Sequence, residues 1–180
     1  MNYPRSGMRD LIHVSDEVQA ALEEGRAVVA LETTLVAHGF PAPDGVETGF
    51  ASEAAVRAAG GRVSIDLSSW SAIRDFGPER FCSLLEELAP DVVFANEEEE
   101  SIVGGRIGDG YWIVKRGPAG ASFDGDERAA LPTERVLDST GAGDAFAAGW
   151  LVGGPDLALE AAARCVQQAG SMPDAGAVLP

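Results

Sequence analysis

Residues 138–146 combine the residue types that bind phosphate and accept a proton. The stretch reads D-S-T-G-A-G-D-A-F and runs into an apolar helical segment. Gly141 and Gly143 let backbone N–H groups approach an anion closely, and the positive end of the following helix is expected to face the same place. Asp144 can take a proton from a hydroxyl group. The stretch therefore predicts a phosphoryl-transfer loop, in which Gly141, Ala142 and Gly143 form an anion hole.

This nine-residue stretch resembles the C-terminal signature of the ribokinase (PfkB) family of carbohydrate and nucleoside kinases. In that family the loop is the anion hole for the transferred phosphoryl group, and the residue matching Asp144 is the general base. The resemblance implies transfer of the γ-phosphoryl group of ATP to a primary hydroxyl, with Mg²⁺ bridging phosphate oxygens. The alternative is a tight turn with close packing, which a bare Gly-x-Gly favours; the acidic residue at each end favours the kinase.

Two residues of the acidic run at 96–100 match a second motif of that family. Asn96 to Glu99 resembles N-x-x-E, which in relatives organises Mg²⁺, water and phosphate. The resemblance thus assigns Asn96 and Glu99 to the nucleotide site and makes Glu99 an indirect Mg²⁺ ligand. An asparagine cap followed by glutamates is also good chemistry for a helix start and requires no ligand.

Residues 115–121, K-R-G-P-A-G-A, are similar to the family segment T-x-G-x-x-G-A, which borders the nucleotide. The resemblance implies that Gly117 and Gly120 lie at the nucleotide. Lys115 or Arg116 can meet phosphate, but the family's usual residue at this place is not basic. A solvated charge at the end of a strand is therefore the favoured interpretation for both.

Asp138 and Thr140 open the phosphate-loop signature and join the predicted nucleotide-binding residues. In relatives the first residue of the signature borders a monovalent-cation site. An Asx turn, in which the Asp138 carboxylate caps the loop, explains this residue equally well.

Alternating apolar runs and helical patterns predict the scaffold around these motifs. Continuous apolar strands separated by helices argue for a three-layer αβα fold with a mostly parallel sheet, which is the ribokinase-like architecture in part. We predict strands at 63–67, 91–95 and 111–114, helices at 78–88, from 97 and at 156–168, and a hairpin up to residue 131. Cys82 and Cys165 fall in the helices and are expected to be buried, reduced thiols. Trp70, Trp112 and Trp150 are expected to be packing residues rather than stacking platforms.

The N-terminal third resembles a different enzyme. Residues 30–39, A-L-E-T-T-L-V-A-H-G, nearly reproduce the A-L-E-S-T-I-x-x-H-G pattern of pseudouridine-5′-phosphate glycosidases, and the resemblance covers about residues 14–61. In that family the residue matching Glu32 is an active-site acid, and His38 lies in the same motif. The family forms a lysine imine, whereas this chain has a single lysine, Lys115, in the kinase-like part. Glu32 and His38 are therefore expected to be vestigial.

These resemblances divide the chain into a glycosidase-like segment, 1–61, and a kinase-like region, 62–180. We expect a fusion or internal deletion that joins the head of one enzyme to the tail of another. A strand at 28–31 can add to the sheet of the kinase-like region as a surrogate strand, and a helix at 46–60 can cover one of its faces. Apolar edges left exposed favour a homodimer or lower stability.

Composition narrows the partners. The formal net charge of −16 argues against nucleic acid and against an anionic membrane surface. No stretch approaches the ~20 apolar residues of a membrane span, and the start lacks a signal-peptide core, so we expect a cytoplasmic protein. Three function classes stay open: a sugar or nucleoside kinase that uses ATP, a pseudouridine-phosphate glycosidase, and a nucleotide-binding remnant without turnover.

Overall fold

The computed structural model describes residues 44–170. It begins with helix α1 (Asp44–Ala58), which leads through a glycine turn to the sheet. Among the α1 side chains that are described, Val56 is buried. Arg57 ties the helix to the rest of the fold, because its guanidinium donates to the carbonyls of Leu88 and Ala89 at 3.0 and 2.7 Å. The strand predicted at 28–31, with Glu32 and His38, lies outside the described residues.

A five-stranded sheet forms the centre of the described region, with its strands in sequence order. The first three strands are parallel, and the last two form an antiparallel hairpin. The second strand is buried on both faces from Val92 to Ala95, which explains why its sequence is a continuous apolar run. The strands are β1 (Ser64–Asp66), β2 (Val92–Asn96), β3 (Tyr111–Lys115), β4 (Ala121–Phe123) and β5 (Asp126–Arg128).

Helices cover the two faces of this sheet, so the predicted three-layer αβα fold is confirmed. Alternate strand residues point to opposite faces: Phe94 packs with the long C-terminal helix, and Val93 packs with the other helices. The first face belongs to α5 (Ala142–Cys165). The second belongs to α2 (Trp70–Phe76), α3 (Pro78–Leu88) and α4 (Glu97–Val103).

Helix α2 has no counterpart among the predicted elements. It spans seven residues and buries one of them, Ile73, so its sequence carries no helical periodicity. Its signals are local: the Ser69 hydroxyl accepts the Ala72 N–H, and Gly77 ends the helix at φ 100°. The packing role predicted for Trp70 is wrong, because this side chain is 41% exposed with Arg74 over its ring.

Helix α5 joins two segments that the sequence predicts separately, the helix after Asp144 and the helix at 156–168, across a kink. Gly154 has non-helical dihedrals, φ 74° and ψ −160°, and Pro155 follows it. The second half ends at Cys165 rather than at residue 168, because its last residues form turn hydrogen bonds only. Trp150 is partly buried and packs edge-on against Phe94 as predicted, and Trp112 is buried.

Both cysteines of the chain are free thiols on helices, Cys165 buried and Cys82 half-buried. Burial is the main cause that raises the pKa of each thiol. Within residues 44–170, no helix combines the length and apolarity needed to cross a bilayer.

Candidate active site

A cavity of about 290 Å³ lies where the three parallel strands end and α5 begins. Asp66, Asn96 and Lys115 are the last residues of β1, β2 and β3, and all three side chains line it. The carboxyl edge of an open α/β sheet is where such folds bind their ligands. Ser68, Glu99, Gly141, Gly143 and Asp144 complete the lining.

The start of α5 supplies backbone donors to this cavity. Gly141 caps the helix with φ 79°, and the first regular helical bond runs from the Ala145 N–H to the Gly141 carbonyl at 2.9 Å. The Gly143 and Asp144 amides precede that bond, so the helix itself leaves them without partners. The Ala142 N–H donates to the Ser139 carbonyl at 3.2 Å. An anion in this place would therefore meet the Gly143 and Asp144 amides and the positive helix end.

Asp144 lies at the mouth of the cavity with an exposed side chain. Its position in the first turn of α5 places its carboxylate beside the amides that would hold an anion. A base needs access to its substrate, and this carboxylate has it. Two residues later in the same motif, the Phe146 side chain is buried and stacks on Phe123 in the core.

Asn96 and Glu99 form a capping box at the start of α4. The Asn96 side chain accepts the Glu99 N–H, and the Glu99 carboxylate accepts the Asn96 N–H, each at 2.9 Å. Glu99 is 2% exposed, and burial is the main cause that raises the pKa of its carboxyl; hydrogen bonding from the Asn96 amide and the charge of Lys115 act in the opposite direction. Asn96 and Glu99 therefore form the start of the helix, as their sequence suggests, and both side chains also line the cavity.

The raised pKa of Glu99 predicts a pH-dependent stability. The folded state holds this proton more tightly than the unfolded chain, whose reference pKa is 4.5. The free energy of unfolding should therefore fall as pH rises from about 4.5 through the folded pKa, by about 1.4 kcal/mol for each pH unit that separates the folded pKa from the unfolded one. Glu99→Gln keeps an acceptor for the Asn96 N–H and removes the titration. Its stability advantage over wild type should grow with pH and then level off.

Urea unfolding at pH 4 to 8 measures this difference, with the exposed Glu98→Gln as the matched control. A difference between Glu99→Gln and wild type that does not change with pH would contradict the assignment.

Lys115 is not the solvated charge that the sequence favours. Its side chain is 17% exposed, and its ammonium pairs with the Asp66 carboxylate at 2.5 Å. The other carboxylate oxygen of Asp66 accepts the Ser68 N–H at 3.0 Å. Arg116 points elsewhere and pairs with Glu127 on the hairpin. Of the two basic residues, Lys115 alone lines the cavity.

Gly117 and Gly120 do not line the cavity. Gly117 is the first residue of a 3₁₀ turn, Gly117–Ala119, between β3 and β4, and Gly120 directly follows that turn. A Cβ on Gly120 would lie 1.9 Å from the Arg128 carbonyl oxygen, and its φ is +107°. Close packing of the hairpin therefore accounts for Gly120, while Gly117 (φ +52°) faces open space among the described residues.

Asp138 and Thr140 also lie outside the cavity lining. The Asp138 carboxylate accepts the Thr140 N–H at 2.9 Å, which is the Asx-turn geometry. Its second oxygen accepts the Gly170 N–H at 3.0 Å. The hydrogen bonds from Thr140, followed by that from Gly170, lower the pKa of this carboxyl. This turn therefore fixes the backbone conformation just before α5.

Acidic groups do not cluster tightly at the site. In the described part of the chain, no three His, Cys, Asp or Glu side chains converge as a metal site. A divalent ion here would thus need phosphate oxygens and water as further ligands, as Mg²⁺ commonly has. Asn96 and Glu99 are the lining residues suited to that indirect role.

Sequence reasoning missed two lining residues, Asp66 and Ser68. Asp66 lies near the end of the predicted strand at 63–67 and Ser68 directly follows that strand, so the carboxyl end of a parallel strand is a signal that could have identified them. The pairing partner of Asp66 was not visible in the sequence, because Lys115 lies 49 residues farther along the chain.

Comparison with known proteins finds two kinds of relative. A family model described as indigoidine synthase A like protein matches residues 17–65. Pseudouridine-5′-phosphate glycosidase of Rhodospirillum centenum is 58% identical over 53 residues, which are 29% of this chain and 17% of that protein. The same enzyme of Dickeya dadantii is 57% identical over 51 residues, 28% of this chain and 16% of that protein. The chain thus spans less than a fifth of the length of these relatives.

Solved kinase structures match the fold over more than two thirds of this chain. Adenosine kinase from Sinorhizobium meliloti aligns with a TM-score of 0.64 at 23% identity, covering 79% of this chain and 54% of that one. A sugar kinase from Pyrococcus horikoshii, solved with ATP, aligns at 0.62 and 24%, covering 77% and 51%. A Burkholderia thailandensis nucleoside kinase, solved with inosine, aligns at 0.58 and 24%, covering 71% and 48%.

These findings confirm the two-part interpretation of the chain. Its N-terminal segment is similar to the start of pseudouridine-5′-phosphate glycosidases, and the following region has a ribokinase-like fold. The chain spans about half the length of the kinases that it matches.

Proposed function

We propose that this chain is an ATP-dependent kinase that transfers the γ-phosphoryl group to a hydroxyl of a sugar or nucleoside. One observation carries the proposal: a single cavity brings together the accessible Asp144 carboxylate, the free amides at the start of α5 and the Lys115 ammonium. Anion-binding donors beside a base are the groups that phosphoryl transfer needs. The ATP-bound sugar kinase supports the nucleotide assignment by its fold.

The proposed chemistry is an in-line displacement. Asp144 takes the proton of the acceptor hydroxyl, and the oxygen of that hydroxyl forms a bond to the γ-phosphorus. The bond from that phosphorus to the bridging oxygen breaks, and ADP leaves with the electron pair. The Gly143 and Asp144 amides stabilise the negative charge on the transferred group.

Mg²⁺ fits this site as a companion of the nucleotide. Asn96 and Glu99 would hold it through water, and it would supply neutralisation of phosphate charge. The monovalent cation has less support, because the Thr140 and Gly170 N–H groups already donate to the two carboxylate oxygens of Asp138.

Pseudouridine is the acceptor that the N-terminal resemblance suggests. Its support is the glycosidase-like segment, since the named relatives act on pseudouridine 5′-phosphate. We also propose that segment 1–61 and region 62–180 derive from two enzymes, and that the chain associates as a homodimer. Cross-linking or light scattering of the purified chain tests the homodimer.

Two other functions remain as alternatives. A glycosidase is favoured by the identity over the N-terminal segment, but the single lysine is held in an ion pair within the kinase-like cavity. A nucleotide-binding protein without turnover is favoured by the short span of the chain relative to complete kinases.

Phosphoryl transfer from [γ-³²P]ATP in the presence of Mg²⁺ distinguishes these functions. We expect label on pseudouridine, another nucleoside or a pentose, with stoichiometric ADP. Release of uracil from pseudouridine 5′-phosphate without ATP would support the glycosidase. ATP binding without labelled product across the acceptor panel would support the remnant and count against the kinase.

A further inference from the structure

Lys115 is the single lysine of the chain and, among the described residues, the one cationic side chain that lines the cavity. Its ammonium has three N–H donors. Within residues 44–170, one of them is used, in the bond to Asp66 at 2.5 Å. Two donors therefore stay available on a charged group that faces the cavity.

The bond between Lys115 and Asp66 joins the ends of two strands that are not neighbours in the sheet. Asp66 ends β1 and Lys115 ends β3, so the lysine side chain reaches across the carboxyl end of β2. The partners are 17% and 21% exposed. The carboxylate is itself oriented by the Ser68 N–H, which donates to its other oxygen. This arrangement fixes the ammonium in one place, unlike the pair of Arg74 with Asp75, whose carboxylate is 71% exposed.

The ammonium is held against the proposed anion hole. A Cβ placed on Gly143 would lie 3.4 Å from the Lys115 nitrogen, so the ammonium and the Gly143 backbone are neighbours. The Gly143 and Asp144 amides are the donors that the helix leaves free. A phosphate bound there would meet these amides and the ammonium together.

Charge makes this placement matter. Three carboxylates line the cavity, those of Asp66, Glu99 and Asp144, against one ammonium. A phosphate group entering this surrounding gains from a cation only if the cation stays at the anion hole. Without Asp66, the flexible lysine stem can carry its charge towards the other carboxylates or into solvent.

We propose that Asp66 is a positioning residue, which holds the Lys115 ammonium beside Gly143 so that it donates to the terminal phosphate of the nucleotide. The proposal rests on the kinase function proposed above and extends it to a residue outside the glycine loop. It predicts that removing a negative charge at position 66 weakens the binding of an anion. Simple charge removal at Asp66 would tighten binding of an anion, whereas loss of positioning weakens it.

Calorimetric titration with Mg·ATP tests that sign. We expect Asp66→Asn to raise the Kd about 3- to 10-fold, and Lys115→Met about 10- to 100-fold, as for a charged hydrogen bond. Asp66→Glu should restore part of the loss. Asp75→Asn, which removes an exposed carboxylate of the same type, is the matched control and should leave the Kd unchanged. Circular dichroism verifies that each variant is folded.

Acylation provides a readout that is independent of ATP. Because Lys115 is the single lysine, peptide mass mapping after treatment with a water-soluble succinimidyl ester separates its modification from that of the N-terminal amine. The ion pair shields the amine, so Asp66→Asn should be acylated several-fold faster than wild type. Mg·ATP should protect wild type more than it protects the variant.

The two proposals fail in different ways. Wild-type binding of Mg·ATP together with equal or tighter binding by Asp66→Asn overturns the positioning role and leaves the kinase assignment standing. Equal acylation of wild type and Asp66→Asn also overturns it. Absence of Mg·ATP binding by wild type overturns the kinase assignment and the positioning role with it.

Discussion

Asp144→Asn should lower phosphoryl transfer about 10²- to 10⁴-fold, the range for loss of a general base. Asparagine has nearly the same shape as aspartate but cannot take the proton of the acceptor hydroxyl. Asp144 is exposed at the cavity mouth, so the substitution should not disturb packing. Mg·ATP should bind equally well or more tightly, because a negative charge beside the phosphates is removed. The measurement is kcat with saturating ATP and acceptor.

A control on the same helix makes this result specific. Asp156 lies on α5 with its carboxylate 93% exposed and paired with Arg128. Asp156→Asn removes the same charge from the same helix and should leave kcat within about twofold, because a surface pair contributes little. Equal activity of Asp144→Asn and wild type would remove Asp144 from the mechanism.

The second large effect is on stability. Gly120→Ala should lower the free energy of unfolding by about 3 kcal/mol or more, since it combines backbone strain with a steric clash. The new Cβ would lie 1.9 Å from the Arg128 carbonyl oxygen and 2.6 Å from the Ala130 nitrogen, at φ +107°. Both contacts are with backbone, so relief requires the β4–β5 hairpin to move. Urea unfolding measures the loss.

Gly117→Ala is the matched comparison within the same turn. Its Cβ would meet no described atom within 4 Å, although φ is +52°. A left-handed backbone costs about 1–2 kcal/mol for a residue with a side chain, so this variant should lose about that much. Equal losses in the two variants would contradict the packing account of Gly120. A raised KM for ATP without loss of stability would instead place Gly120 at the nucleotide, as the family resemblance implies.

Local chemistry makes most of the scaffold predictable. The buried strand β2 reads as a continuous apolar run, and α3 has the bounds that the sequence predicts, because Pro78 begins it and its apolar residues recur at helical spacing. Helix α2 is missed because its single buried residue, Ile73, produces no repeating pattern of apolar residues. Gly154 and Pro155 mark the break in α5.

Side-chain pairing across the sheet is beyond sequence reasoning. Lys115 stands at a strand end, where a solvated charge is the usual outcome, and the structure instead holds it against Asp66. That pairing needs the order and register of β1, β2 and β3, which the sequence does not state. In contrast, the Asx turn at Asp138 and the helix cap at Asn96 are local, and the sequence offers each as an alternative to a ligand-binding role.

The two parts of the chain raise different questions. The glycosidase-like segment has high identity over a short stretch, and Glu32 and His38 lie outside the described residues. The kinase-like region has lower identity, and its fold brings part of each of three motifs to one cavity: Asn96 and Glu99, Lys115, and Gly141, Gly143 and Asp144. The function that can be argued from geometry is therefore the kinase function.

Titration of wild type and two cation variants with Mg·ATP tests the central claim most directly. If the cavity holds the terminal phosphate, wild type should bind one nucleotide per chain. Lys115→Met should weaken that binding far more than Arg116→Met, because the Arg116 guanidinium pairs with Glu127 of the hairpin, outside the cavity. Absence of saturable binding by wild type, or equal losses in the two variants, would contradict the claim.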